Sequence, residues 1–207
     1  METIAVIDFE TTGLAPEQGA RATEIAVALV RDGRVVDRYQ SLMNAGVRVP
    51  SFIQDLTGIT NAMIRQAPPA ARVMAEAAAF VGTCPLVAHN ASFDRKFWDA
   101  ELDRIGLGRT RGQAFACSML VARRLLPDAP NHKLGTLASF LGLPAAGRSH
   151  RAQADADMAA SLTLYLEQEI QRRFGLAVVS HALLMVLQKA PRTRLQTCVE
   201  RFVAVSA

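Results

Sequence analysis

Asp8 and Glu10 stand at the end of an apolar run, Thr3-Ile4-Ala5-Val6-Ile7-Asp8-Phe9-Glu10, and are followed by the small-residue stretch Thr11-Thr12-Gly13-Leu14. Side chains alternate along a strand, so the two carboxylates point the same way. Like charges on one face repel unless a cation or a proton sits between them. Oxygen-rich carboxylate sites suit Mg²⁺ or Mn²⁺. Two further segments can complete such a site. Val87-Ala88-His89-Asn90-Ala91-Ser92-Phe93-Asp94 puts a carboxylate just after a short apolar run, and Ser149-His150-Arg151-Ala152-Gln153-Ala154-Asp155 opens a helical pattern with a histidine and a carboxylate. Metal-assisted hydrolysis needs an activated water, in-line geometry and relief of charge on the reacting group. Two metal ions roughly 3.5–4 Å apart supply all three, provided carboxylates converge from separate elements.

Each of these residues also has an ordinary use. Asp94 suits the first turn of a helix, where its charge favours the dipole. Asp155 competes with Asp157. His150 titrates near neutral pH and can take a proton from an attacking water. It sits beside a small-residue loop containing Gly147, which would let it swing toward a substrate. His89 lies next to the expected site and either contacts substrate or structures the turn. His132 and His181 have no partner in the pattern and are expected to be structural or surface residues. The small residues Thr11, Thr12 and Gly13 permit close backbone approach, with N–H groups for a ligand's oxygens. Phe93 either walls a nucleotide pocket or belongs to the core.

Taken together, Asp8-x-Glu10, Asn90-x-x-Phe93-Asp94 and His150-x-Ala152-x-x-Asp155 resemble the DEDDh 3′→5′ exonucleases, a family that includes the proofreading epsilon subunit of bacterial DNA polymerase III and RNase T. The resemblance covers about residues 1–170, with the three motifs in the family's order. It implies that Asp8 bridges two ions, that Glu10 and Asp155 complete one, and that Asp94 supports the other. The family spacing favours Asp155, five residues after His150, over Asp157. Leu14 resembles the apolar wedge that separates the last base from its neighbour, and Asn90, His89 and Phe93 fall on the substrate side. Two departures stand out. Phe9 occupies a position where many relatives have Thr, and Thr57, in Leu56-Thr57-Gly58-Ile59-Thr60, one where His is frequent.

Positioning these residues requires particular elements. Thr3–Phe9, Glu24–Val30 and Val35–Tyr39 read as three strands, the latter two joined through Asp32-Gly33, a strong hairpin signal. Pro50–Leu56, Thr60–Arg65, Ala70–Val81 and Ser92–Ile105 read as helices, with a short strand Leu86–Ala88 between the last two. Ala114–Ser118 is a candidate fifth strand leading into helix Met119–Leu125. Gly135–Leu141 and Ala152–Gln171 follow as helices, with Ala145–Ser149 a loop between them. Leu176–Gln188 and Arg192–Val203 form a helical tail split by Pro191. Three leading strands followed by alternating helix and strand predict an α/β fold. The resemblance specifies its ribonuclease-H-like form, a mixed five-stranded sheet flanked by helices. The expected division is an exonuclease domain over residues 1–171 and a helical extension over 172–207.

The chain has 207 residues, is 50% hydrophobic and 20% charged, and carries a net charge of +4. That suits one domain with an extension and excludes a disordered or collagen-like chain. The most apolar stretch, Leu176 to Leu187, is too short for a bilayer. The N-terminus reads as strand rather than signal peptide, and Cys84, Cys117 and Cys198 form no disulfide or zinc pattern. A cytoplasmic protein without membrane partners is expected. A four-carboxylate site would leave the remaining surface more basic than the total, which suits a phosphate backbone. The leading expectation is a 3′→5′ exonuclease that needs Mg²⁺ or Mn²⁺ and acts on DNA, single-stranded or frayed. RNA 3′-end trimming is the alternative substrate. A proofreading subunit built mainly to bind a polymerase is the alternative class. The apolar tail (Leu176, Val178, Val179, Leu183, Leu184, Val186, Leu187, then Leu195, Val199, Phe202 and Val203) would cap the domain and offer a face to a second copy or a DNA polymerase subunit.

Overall fold

The computed structural model describes residues 2–108, 113–144 and 150–206, so the expected loop Ala145–Ser149, with Gly147, lies outside the described residues. The leading apolar run becomes the centre of the sheet. β1 (Ile4–Thr11) lies between β2 (Ala22–Arg31) and β4 (Leu86–Ala88), with β3 (Arg34–Leu42) beyond β2 and β5 (Phe115–Cys117) beyond β4. β1 and β2 pair antiparallel, as do β2 and β3, whereas β4 and β5 run parallel to their neighbours. The β2–β3 turn is the expected one. Asp32 and Gly33 have φ of 53° and 75°, the left-handed pair that a two-residue hairpin demands.

β1 is longer than its apolar run. Its antiparallel pairing continues through Asp8↔Ala26 and Glu10↔Glu24 before a bulge between Glu10 and Thr11. Pairing with β4 is far shorter, reaching only Ala5↔Leu86 and Val6↔Val87. The carboxylate end of β1 therefore runs past its parallel neighbour and keeps one free edge.

Helices cover both faces. Ala5, Ile7 and Phe9 point into a core with α3 (Ala70–Val81) and α4 (Ser92–Arg104). Ile4 and Val6 point the other way, into a core with α5 (Ser118–Leu125), α6 (Leu134–Leu141) and the long α7 (Ala152–Phe174). Strand alternation puts Asp8 and Glu10 on this second face, and Phe9 away from it, as expected. α1 (Ser51–Thr57) and α2 (Asn61–Gln66) close a small separate cluster of Val49, Ile53, Ile59 and Ile64. Among the described residues, no helix is long and apolar enough to cross a membrane.

The tail differs from its sequence expectation in extent. α7 runs on to Phe174 and stops at Gly175, φ 68°. The next helix, α8 (His181–Leu187), starts five residues later than Leu176 because Ser180 caps it, its side chain accepting from the Leu183 amide. α9 (Leu195–Ser206) follows a single 3₁₀ turn over Arg192–Arg194. Leu183, Leu184, Leu187, Leu195 and Val199 share the core of Ile4, Val6 and Leu166. His181 reaches under the sheet, its Nε2 2.8 Å from the Leu86 carbonyl, and the Gln188 Oε1 accepts the Cys117 amide at 2.7 Å. α8 thereby satisfies backbone groups of β4 and β5.

The start of α7 is seated on β2 by three fully buried alanines, Ala26, Ala152 and Ala156. Small side chains allow the helix axis to approach the sheet closely. Ala156→Leu should overfill this contact and destabilise the protein by roughly 1–3 kcal/mol. Urea unfolding would read the change, and a variant as stable as the parent would mean that the seat is loose.

Candidate active site

Three stretches of chain bring the expected residues together. Asp8 and Glu10 come from the free end of β1, Asp94 from the first turn of α4, and Asp155 from the first turn of α7. The missing length of β4 explains how Asp94 enters. Where the β1 edge loses its strand partner, the Asp94 Oδ1 accepts the Phe9 amide at 3.2 Å. Asp94 is only 2% exposed, so it is more than a helix-terminal acid. Its carboxyl takes the place of a neighbouring strand between Asp8 and Glu10.

Asp155 and Asp157 part company in the fold. Asp157 is held by Arg38 of β3, Nε to Oδ1 2.7 Å, and by Gln153 at 3.0 Å. Asp155 faces the β1 carboxylates and accepts the His150 amide at 2.9 Å. Ligand atoms of Glu10, His150 and Asp155 lie within 4.8 Å of one another. His150 itself is exposed and has φ 61°, rare for a non-glycine residue.

The electrostatics are strained without a cation. Burial, and then the charges of Asp94, Asp155 and Glu10, raise the Asp8 carboxyl well above its ordinary range. Burial, with Asp155 and Glu24 nearby, pushes Glu10 up to about 8. Burial raises Asp94 despite the Phe9 N–H, and raises Asp155 despite the His150 N–H. Among the described residues no arginine or lysine is ion-paired to any of the four. An oxygen-only set that repels itself fits a hard divalent cation. Asp8, Glu10, Asp94 and Asp155 are the residues that would hold it.

An open cleft of about 840 Å³ reaches these groups, lined by Asp8, Glu10, His150 and Asp155 on one side. Its other walls mix apolar side chains with polar ones, Gln18 and Arg48 among them. Leu14 is 79% exposed at the rim, and Phe93, half-buried and packed on Phe97 at 5.1 Å between ring centroids, lies below. Leu14 is thus free of the core. Sequence reading missed two wall residues, Phe52 and Leu56 of α1, which are 66% and 48% exposed. The available signal was apolar side chains on both sides of a seven-residue helix whose Ile53 alone goes inward. A second hollow of about 480 Å³ meets the same carboxylates from the other side and is lined by Asp8, His89, Lys133, Thr136, His150 and Asp155.

The remaining expected residues take varied places. Thr11, Thr12 and Gly13 line the cleft, but their side chains shape the turn. Thr11 Oγ1 donates to the Gly13 carbonyl at 2.6 Å, and Thr12 Oγ1 accepts the Arg21 amide at 3.0 Å. A side chain on Gly13 would meet the Ala20 Cβ at 3.4 Å. His89 has both ring nitrogens engaged, by Ser118 Oγ at 3.0 Å and the His132 carbonyl at 2.9 Å, and burial holds it neutral, its pKa lowered to about 4. Asn90, exposed with φ 67°, lines neither hollow. His132 bonds the Leu126 carbonyl through Nε2 at 3.1 Å, a structural use. Thr57 is buried and turned onto its own helix, its Oγ1 donating to the Ile53 carbonyl at 2.8 Å.

These raised carboxyls have a thermodynamic consequence. In metal-free protein the folded state keeps protons that the unfolded chain has already lost. Stability therefore falls as pH rises from the ordinary carboxylate range through about 8, the Glu10 value. Scanning fluorimetry in chelator should show the melting temperature dropping from about pH 5 to about pH 8. Mn²⁺ should restore more at the higher pH, by about 2.7 kcal/mol at a hundredfold excess over Kd. Asp8→Asn should flatten the pH slope and abolish the metal response. A pH-independent melting temperature that ignores Mn²⁺ would show that these carboxylates hold no cation.

A family model described as exonuclease, the RNase T type, matches residues 5–163. DNA polymerase III PolC-type from Oceanobacillus iheyensis is 35% identical over 169 residues, 82% of this chain and 12% of that protein. The 3′-5′ exonuclease DinG from Bacillus subtilis is 30% identical over 83% of this chain and 18% of its own length. The chain therefore spans only a small part of these relatives. Among solved structures, Exonuclease X in complex with 5′ overhanging duplex DNA superposes with a TM-score of 0.65 and 26% identity, over 84% of this chain and 95% of that one. With well over half of its length matched by the family model, the chain belongs to the RNase T family of exonucleases, the DEDDh group that its three motifs resemble.

Proposed function

We propose that this chain is a metal-dependent 3′→5′ exonuclease that cuts phosphodiester bonds at the 3′ end of single-stranded or frayed DNA and releases nucleoside 5′-monophosphates. One observation carries the proposal. Asp8, Glu10 and Asp155, with His150, face one open cleft while Asp94 backs them from beneath, and among the described residues no arginine or lysine is ion-paired to any of the four carboxylates. Two divalent cations, Mg²⁺ or Mn²⁺, would neutralise the scissile phosphate and lower the pKa of the attacking water when bound by Asp8, Glu10, Asp94 and Asp155. His150 takes the water's proton on its ring. The backbone turn Thr11–Gly13 approaches the terminal sugar, Leu14 parts the last base from the next, and Phe93 walls the sugar and base.

DNA is favoured over RNA because Exonuclease X, at 26% identity, is described with duplex DNA and the PolC-type relatives are DNA polymerases. In this proposal residues 1–171 carry the reaction. The extension 172–207 supports it and leaves Val203 and Val205, 43% and 84% exposed, for a second copy or a DNA polymerase subunit. Light scattering tests self-association, and a monomer at high concentration would remove that option. The free thiols Cys84, Cys117 and Cys198 suit a reducing, cytoplasmic setting.

Labelled oligomers test the reaction. A free 3′ end should be degraded to monophosphates, whereas a 3′-phosphorylated strand or a closed circle should resist. Rapid cutting of circles would mean endonuclease action. His150→Ala should lower turnover by roughly 10²–10⁴. Parental turnover in His150→Ala at every pH would remove it as the base.

A further inference from the structure

Sequence reading gave no role to Glu24, yet it is a wholly buried carboxylate. It lies on β2 directly opposite Glu10 of β1 and on the same face. A second acid there adds to the repulsion within the site, and a buried charge persists only where it is paired and hydrogen-bonded. Glu24 is fully provided for. Its Oε1 accepts from Arg151 Nη2 at 2.8 Å and from Gln40 Nε2 at 2.5 Å. Its Oε2 accepts from Arg151 Nε at 3.1 Å and from the Ala152 amide at 3.0 Å. The Arg151 fork grips both oxygens, and Ala152 is the first residue of α7.

Arg151 follows His150 directly. The histidine therefore sits between two fixed points, its own amide on Asp155 at 2.9 Å and its successor locked to β2. Its φ of 61° is a strained conformation for a non-glycine residue and persists only where the surroundings over-determine it. Neither Glu24 nor Arg151 lines the cleft or the second hollow. Whatever they contribute to turnover must act through the residues they hold.

We infer that Glu24 and Arg151 form a latch from β2 to the head of α7 that sets His150 against the catalytic carboxylates, so that both are positioning residues for the reaction. This rests on the exonuclease proposal and on His150 as the base. Lysine cannot replace the fork, because one ammonium cannot span both carboxylate oxygens in the plane that a guanidinium matches. Arg151→Lys keeps the charge beside Glu24 and should leave the protein folded while loosening the hold on His150.

The test uses the full chain with Mn²⁺ and a labelled single-stranded DNA oligomer, comparing the parent, Arg151→Lys, Glu24→Gln, His150→Ala and the double variant His150→Ala/Arg151→Lys. Arg151→Lys and Glu24→Gln should lower kcat by roughly 10- to 100-fold, the usual cost of losing a group that orients a site residue, with KM within about twofold of the parent. In the His150→Ala background Arg151→Lys should cost nothing further, because the residue that it positions is gone; a purely structural role would lower that rate too. A loss confined to KM would mean that Arg151 grips substrate phosphate, and would overturn the latch. So would a fall in kcat that tracks lost folded protein by circular dichroism, or a parental kcat in Arg151→Lys beside a deep loss in His150→Ala. Parental turnover in His150→Ala itself would instead overturn the assignment of the base.

Discussion

Carboxylates repel most strongly where water is scarce, and this fold gathers four of them at one end of its central strand with a fifth, Glu24, beside them. Desolvation and mutual repulsion both push toward protonation or toward a bound cation. That constraint organises the surroundings. Local features that look arbitrary in isolation follow from the need to hold acids together that would separate if free.

Three devices hold them. The first is unequal strand length. β1 outruns β4, and the unpaired Phe9 amide draws Asp94 into the gap. The second is small side chains, Ala26 against Ala152 and Ala156, which let α7 bring Asp155 within reach of Glu10. The third is the neutralising of the one acid that a cation would not serve. Arg151 pairs Glu24 and in doing so fixes the chain next to His150. The second buried ion pair, Arg21 with Glu101, works alike at the same end of β2. Glu101 accepts from Arg21 at 2.8 and 2.9 Å and from the Ala22 amide at 3.2 Å, tying the start of β2 to α4. The carboxylates meant to stay charged are satisfied by protein, and those around the cleft are left wanting.

The walls of the cleft follow a different logic. Leu14, Phe52 and Leu56 stay in solvent although nearby apolar groups are buried. The turn carrying Leu14 is braced from within by Thr11 and Thr12, so its rigidity does not depend on burying the leucine. α1 sends Ile53 inward to its small core and can leave its other apolar side chains facing the cleft. Exposed apolar groups opposite a charged floor suit a ligand that has both a base and a phosphate.

What the sequence determined is what depends on near neighbours along the chain. Alternation put Asp8 and Glu10 on one face and Phe9 on the other. Asp32-Gly33 specified the hairpin through backbone freedom alone, and the apolar runs marked all five strands. The three motifs carried enough local spacing to resemble one family, and the family model agrees. Boundaries drifted where a cap decided them, as at Ser180, which delays α8 beyond its apolar run. The spacing to His150 already favoured Asp155 over Asp157, but only the tertiary structure gives the physical reason, Arg38 on a distant strand, which holds Asp157. Only it gave Glu24 a role, because that depends on register with Glu10 and on a partner 127 residues away. Periodicity reports which face a residue occupies, but the charge that a buried group can bear is set by whatever the fold brings against that face.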